Sequence, residues 1–354
     1  MGRKGGGGGG GGGDEDVKRD KPLQAVLLAD SFTSTFRPVS FETPKVLFPL
    51  GNAPLIAYTL EFLASNDVKQ VFVFCISHAE KIREYIESSG WGLRMSIEIL
   101  SSSVCTSAGD VMRDLDQRGV IESDPFILVS GDVASNIDLK PFIESHKERR
   151  KESSSNIMTM LLSRSGRNAR CRTHADDLVV GIDDSTKQVV VFQDDPAAAL
   201  MALPKVVLTE RDSVTLHTGL QDLYIDICSP EVPICFSDNF DYLTLRKGFV
   251  ASEVANIELG QYIFAEILED AGAPAASYAA KAHDPKCYHA MARDLTHRWL
   301  YPIVPELPLG TSAALNAPLK RCHVNSWTNQ PQPAWAALNQ QPAAPPGDES
   351  AAAA

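Results

Sequence analysis

Apolar and polar positions along this chain follow two periods that succeed one another. Leu23–Ala29 is an apolar run interrupted only by Gln24, a polar and turn-rich segment follows, and Pro54 opens a stretch in which Leu55, Ile56, Thr59, Leu60 and Leu63 recur on one helical face. Val71–Ile76 is again wholly apolar. After it come a helical stretch over Ala79–Ser88 that stops before Gly90, a third strand over Met95–Leu100, a helix from Ser107 through Asp116, and a fourth strand over Phe126–Ser130. Strands alternating with helices imply a parallel sheet, since a parallel neighbour is reached only by a crossover. Runs such as VFVFCI and FILVS, apolar on both faces, suit strands covered by helices on both sides. The expected fold class is α/β, a doubly wound, mostly parallel, Rossmann-like sheet.

After about Lys140 the alternation changes. Basic and polar residues from His146 to Ser155 lead into a strand over Asn156–Leu162, and Leu178–Ile182 and Val189–Phe192 read as strands around an Asp183-Asp184-Ser185 turn. These are late strands of the same sheet with an antiparallel excursion. Leu223–Cys228 is a further strand, and Ser229 is expected to cap the helix that follows it, with Pro230 in the first turn. Beyond the apolar Ile234–Phe236, the turn-favouring Ser237-Asp238-Asn239 cluster places Asn239 at a corner that opens a helix through Tyr242, Leu245 and Phe249. Two readings of this corner stand: an exposed Phe240 is an interface anchor, or Asn239 is a cap and Phe240 belongs to the core. A last helix is expected over Asp284–Trp299, with Asp284 as cap, Pro285 in the first turn, and Tyr288, Met291, Ala292, Leu295 and Trp299 on one face. Apolar surface near Trp299 and Tyr301 is expected to stay exposed and to promote association.

Composition adds the ends. Residues 1–20 hold a glycine run and mixed charges, and residues 307–354 are rich in Pro, Ala and Gln, so both are expected to be disordered tails around one α/β domain over 21–306. The glycine run is no phosphate loop, because it lacks a flanking strand and a Gly-Lys-Ser/Thr ending. A net charge of −12 argues against a general nucleic-acid surface, which needs clustered Lys and Arg, and the apolar runs are too short to cross a bilayer. The seven cysteines include no CxxC pair, and an odd count suits neither a disulfide framework nor a zinc ribbon. With no secretory apolar region after Met1, the reading is a cytosolic protein whose thiols serve as small core residues.

Candidate chemistry sits in the loop leaving the first strand, which in such a sheet faces the ligand crevice. Its Arg37-Pro38 and Pro44-Lys45 pairs, Pro49-Leu50 and Asn52-Ala-Pro-Leu-Ile56 resemble the signature of the sugar-nucleotide pyrophosphorylases. That signature opens on a glycine-rich turn, and here Asp30, Ser31 and Thr33-Ser34-Thr35 stand in its place. Side chains obstruct the close approach of backbone N–H groups to a triphosphate, and the Asp30 carboxylate repels one unless it holds a metal. Gly131-Asp132 matches the family's Gly-Asp at the end of the fourth strand, and Asp132 reads either as a metal ligand or as a turn cap. Ser107-Ala-Gly-Asp110 resembles the helix start where the family's backbone approaches the base, and equally suits a capped helix. Where active members place a Glu-Lys pair, this chain has Gln193-Asp194; Asp226 lies near the place of their second metal-binding aspartate. Arg37 alternatively reads as a solvated charge, and Lys45 as the partner of a nearby carboxylate.

Asp238-Asn-Phe-Asp-Tyr242, AVLLADSF, Tyr58-Thr-Leu-Glu-Phe62, Val73-Phe-Cys75, Ser107-x-Gly-Asp and Arg298-Trp-x-Tyr-Pro302 together are similar, over about residues 22–306, to the epsilon-subunit family of eukaryotic translation initiation factor 2B. The resemblance implies a multisubunit guanine-nucleotide exchange factor with gamma, beta, delta and alpha partners, in which this domain pairs with its counterpart in gamma. It implies translation initiation factor 2 as the substrate, contacted through Asn239, Phe240 and Asp241. It implies no catalytic residue, cofactor or metal in this domain. The family continues into a hexapeptide β-helix and a helical exchange domain, whereas residues 307–354 show no six-residue apolar period, so the chain is expected to be a fragment or shortened form without exchange activity of its own. The alternative function is an active sugar-nucleotide pyrophosphorylase, which needs paired metal-binding carboxylates, a glycine-rich loop and basic phosphate clamps.

Overall fold

The computed structural model describes residues 21–303, apart from 31, 33, 52, 103, 165–177, 195–204, 210, 257–259 and 269–276. Both expected tails, 1–20 and 307–354, lie outside the described residues. In chain order the elements are β1 (Gln24–Leu28), a short hairpin of β2 (Pro49–Leu50) and β3 (Ala53–Pro54), α1 (Leu55–Ser65), β4 (Gln70–Cys75), α2 (Ala79–Ser88), β5 (Ser96–Ser101), α3 (Ala108–Arg118), β6 (Phe126–Ser130) and β7 (Val133–Ser135). Then follow α4 (Lys140–Glu152), β8 (Asn156–Arg164), β9 (Leu178–Asp183), β10 (Val189–Gln193), α5 (Lys205–Thr209), β11 (Val214–Cys228), α6 (Glu231–Asp238), a π-helix (Leu245–Val250), α7 (Ala251–Ala255), β12 (Tyr262–Leu268), β13 (Ala279–Lys281) and α8 (Pro285–Thr296).

The parallel block runs β5-β4-β1-β6, with Val26 of β1 level with Phe72 of β4 and Leu128 of β6. Beyond β6 the sheet turns antiparallel: β11 pairs with β6, β8 and β9, β10 extends from β9, and β12 closes on β8 in parallel. Alternate residues of the central strands feed two cores. Val26, Phe72, Phe74 and Leu128 pack with α3, α6 and the π-helix, while Ala25, Leu27, Val71, Val73 and Val129 pack with α1, α2 and α4. This is the doubly wound arrangement the apolar runs predict.

Helix α1 is buried on more than one side, because it is wedged between the sheet and a third cluster of Phe48, Leu50, Leu55, Tyr58, Ala134, Tyr278, Met291, Leu295 and Leu300. Its buried hydroxyls are satisfied: Thr59 Oγ1 donates to Val133 O at 2.7 Å, with Gly131 O at 3.2 Å, and Tyr58 OH donates to Leu50 O at 2.6 Å. Helix α8 starts where the sequence places it: Asp284 accepts a hydrogen bond from Cys287 N at 2.7 Å, and Met291 and Leu295 are buried while Trp299 and Tyr301 are exposed. Of the seven cysteines, the five that are described are buried free thiols.

The structure corrects several expectations. Asn239 ends a helix rather than opening one: it is the C-cap of α6, residues 240 and 241 form a turn, and the next helical stretch starts after Thr244, whose Oγ1 accepts from Gly248 N at 2.9 Å. The Tyr242, Leu245, Phe249 spacing mimics a helix face, but Tyr242 and Phe249 instead meet Phe236 in an aromatic trio with centroids 4.8 to 5.8 Å apart. Ser229 does not cap α6; its hydroxyl donates to Ile157 O at 3.1 Å and stitches β11 to β8. The expected strand over Leu223–Cys228 is only the end of β11, and α4, β7, β12 and β13 are additional elements.

If α8 closes the third cluster, truncating Leu295 leaves a cavity against Gly51 and Tyr58, whereas truncating Trp299 does not. Leu295→Ala is expected to cost about 2 to 5 kcal/mol in urea unfolding, and Trp299→Ala within about 0.5 kcal/mol.

Candidate functional site

The crevice lies at the carboxyl ends of β1 and β6, where the chain must turn tightly. Gly131 N donates to Leu28 O at 2.8 Å, and a Cβ at Gly131 would lie 2.8 Å from Leu27 Cδ2 and 2.9 Å from Val46 Cγ1, so only glycine fits. The turn delivers Asp132 into the interior. Its carboxylate is ion-paired with Lys45, whose ammonium is buried beside it and lies 5.0 Å from the Phe36 ring centroid, and it accepts from Ser130 Oγ at 2.6 Å. Burial alone raises the carboxyl's pKa; the charges of Lys45 and Lys281, with the hydrogen bonds, outweigh it and hold the group at about 2.

A second buried charge group lines the same crevice from β11. Arg246, on the π-helix, forks onto Asp222 and reaches Asp226 Oδ1 at 3.0 Å. Burial pushes Asp226 up to about 6 against the pull of Arg246, and burial likewise brings Lys281 of β13 down to about 8. The Tyr224 ring links the groups, with Lys281 Nζ at 3.1 Å and Arg246 Cζ at 5.1 Å from its centroid. Asp132, Asp222 and Asp226 thus face cations supplied by the chain itself. A divalent ion seated on these carboxylates would have to displace a buried ammonium and a buried guanidinium, so the donor set does not fit one.

The other crevice residues have structural partners. Asp30 accepts from Ile76 N at 2.5 Å and from Ser77 Oγ at 2.8 Å, tying the end of β1 to the loop after β4. Arg37 is exposed and stacks 5.3 Å from the Phe41 centroid. Gln193 and Asp194 sit at the end of β10, separated from β6 by β9 and β11. Ser107 and Asp110 form a reciprocal capping box, Ser107 Oγ accepting from Asp110 N at 3.1 Å and Asp110 Oδ2 from Ser107 N at 3.0 Å. Gly109 faces the chain's own backbone. Its N–H donates to Leu243 O at 3.0 Å, and a Cβ there would stand 1.9 Å from Tyr242 O.

That contact carries the Asn239–Phe240–Asp241 turn on the amino end of α3. Asn239 Oδ1 accepts from Asp241 N at 3.0 Å, and Arg113 donates to Phe236 O at 3.2 Å while its guanidinium lies 5.5 Å from the Phe240 centroid. Of the two readings of this corner, the structure places Asn239 as a cap and Phe240 outside the core, 73% exposed, with Leu243 and Ile234 also exposed. Arg246, Asp222 and Lys281 were not indicated by the sequence. Arg246 falls off the Tyr242, Leu245, Phe249 spacing and so reads as a solvated base.

A family model described as nucleotidyl transferase matches residues 24–167. The chain is 39% identical over 294 residues to translation initiation factor eIF2B subunit epsilon of Dictyostelium discoideum, covering 82% of this chain and 41% of that protein. It is 38% identical to the subunit of the same name from Schizosaccharomyces pombe, over 82% of this chain and 43% of the relative. The chain therefore spans about two fifths of the length of these curated relatives. Among solved structures, HddC from Yersinia pseudotuberculosis superposes with a TM-score of 0.54 at 14% identity, over 77% of this chain and 99% of that one, which is a likeness of fold. No described helix is long and apolar enough to cross a membrane.

Because Lys45 and Asp132 neutralise each other in the interior, removing one strands the other. Asp132→Asn is expected to cost about 3 to 5 kcal/mol at pH 7 in urea unfolding, and Lys45→Met with Asp132→Leu to recover most of it. The carboxyl's native pKa of about 2 lies below its ordinary 3.8, so its contribution is complete above pH 3.8 and lost as pH falls toward 2, and the Asn variant converges on the parent there.

Proposed function

We propose that this chain, 38–39% identical over 82% of its length to eIF2B epsilon subunits, is a non-catalytic interaction region of the eIF2B guanine-nucleotide exchange complex, contacting translation initiation factor 2 through Asn239, Phe240 and Asp241. The observation that carries this reading is Phe240: a large aromatic 73% exposed on a turn that is tied down on both sides. An exposed aromatic on a rigid support contributes contact area at little cost in conformational entropy, which is the make-up of a binding hot spot. Asp238 and Asp241 flank it and are exposed, so the complementary surface offers an apolar pocket with basic or hydrogen-bonding neighbours.

The crevice supports the non-catalytic half of the proposal. Phosphoryl chemistry on this fold needs an open carboxylate pair and mobile water or metal between them. Here Lys45 and Arg246 occupy the carboxylates, Asp30 fills the turn after β1, and Tyr242 packs on Gly109. The alternative, an active sugar-nucleotide pyrophosphorylase, has the fold in its favour, but fold alone does not carry activity. The same reading places the chain in the cytosol, assembled with the gamma, beta, delta and alpha subunits and paired with gamma through this domain.

Two measurements test the proposal. No pyrophosphate is expected above blank with nucleoside triphosphates and sugar 1-phosphates; release abolished by Asp132→Ala in a variant still folded by circular dichroism would restore the enzymatic alternative. Phe240→Ala is expected to weaken capture of purified eIF2 at least about tenfold, some 1.4 kcal/mol, with unfolding free energy changed by less than about 0.5 kcal/mol. Undiminished capture would remove Phe240 from the contact surface.

A further inference from the structure

The exposed turn and the buried crevice are joined by a very short piece of chain. Phe240 is exposed and Arg246 is buried, and each residue position between them that could give slack is engaged. Tyr242 is buried in the aromatic trio, its hydroxyl donating to Glu253 Oε1 at 2.7 Å. Leu243 O accepts from Gly109 N at 3.0 Å, and Thr244 Oγ1 caps the π-helix through Gly248 N. A π-helix closes i→i+5 hydrogen bonds, one residue wider than the α-helix, and such rare segments persist where a specific contact holds them. Here the contact is Arg246, which binds Asp222 and Asp226 across an irregularity of β11 where Tyr224 adopts φ +52°.

We infer that Arg246 is a positioning residue for the Asn239–Phe240–Asp241 turn, its clamp on Asp222 and Asp226 fixing the π-helix from which the turn is suspended. The inference rests on the reading of that turn as a contact surface, and extends it to a side chain that touches no partner. The guanidinium suits the task because one planar fork spans two carboxylates, which a point-charge ammonium cannot do. Without it, Asp226 and the part-buried Asp222 face each other with only the more distant charge of Lys281 to offset them, and the irregular part of β11 and the π-helix lose their common anchor. Phe240 would then sample many orientations, and binding would bear the entropy of fixing it.

A merely structural role would lower global stability without singling out the turn, so the experiment compares Arg246→Met with Arg94→Met. The second variant breaks a part-buried ion pair, Arg94 with Glu61 at 2.5 and 2.9 Å, on the α1 side of the sheet. Amide hydrogen exchange at residues 239–243 is measured in the full chain, in urea concentrations chosen to equalise global stability. The expected result is exchange at least tenfold faster in Arg246→Met than in Arg94→Met, with Arg246→Lys between Arg246→Met and the parent. Should Arg246→Met fail to fold, Asp226→Asn, which keeps shape and weakens the clamp, is read the same way with a threefold threshold. Equal turn exchange at equal stability overturns the inference. Capture of purified eIF2 is measured in parallel: weakening in step with turn exchange supports both claims, whereas a loosened turn with unchanged capture upholds the positioning role and sinks the contact reading.

Discussion

The arrangement that the site depends on is the pairing of buried opposite charges inside the crevice. Asp132, Asp226, Lys45, Arg246 and Lys281 are all less than a tenth exposed, so none can be left to solvent. Each cation comes from a different part of the chain: Lys45 from the loop after β1, Arg246 from the π-helix, Lys281 from β13. Their charges must be matched in place, which ties the loop, the π-helix and β13 to the ends of β6 and β11. Such pairs add little to stability relative to apolar packing, because desolvation offsets most of the attraction. What they do enforce is register, since a shift of any one element would strand a charge.

The central sheet and several helices were legible because their information is local. Ala79–Ser88 and Phe126–Ser130 appear at the bounds that apolar period and flanking polar residues mark. Helix α4 was not, because only Ile143 and His146 of its residues are buried and a nearly all-polar helix has little period to read. Strands β7 and β13 are three residues each and exist through their pairing, Lys281 opposite Val133, which no short window encodes. YIFAEIL after Gly260 carries a strand signal in its own right; its parallel pairing with β8 does not follow from it.

The candidate site shows the same division. Lys45 as the partner of a carboxylate and Asp132 at the end of β6 follow from residue type and position along a predicted strand. Arg246 with Asp222 and Asp226 does not, since the pairing joins residues 20 and 24 positions apart through a bulge and a π-helix. The corner at Asn239 was misread for a related reason. Spacing reports that Tyr242 and Phe249 are buried, and a tertiary aromatic cluster satisfies that requirement as well as a helix face would.

A sheet of this kind is held by apolar strands and the helices on them, and almost none of that packing involves the crevice. The crevice residues can therefore change without unmaking the fold, provided that the buried charge still balances. Pairing Asp132 with Lys45 and Asp226 with Arg246 meets that condition, and it has a mechanical consequence. A crevice whose carboxylates are paired by the chain's own cations needs no ligand to hold its walls together. The α3 amino end, the Gly109 contact and the π-helix then form a fixed base, and a surface aromatic mounted on a fixed base recognises a partner better than one on a moving lid. Under the function proposed above, the buried charge pairs that crowd the crevice also hold the base of the turn at residues 239–241 in place.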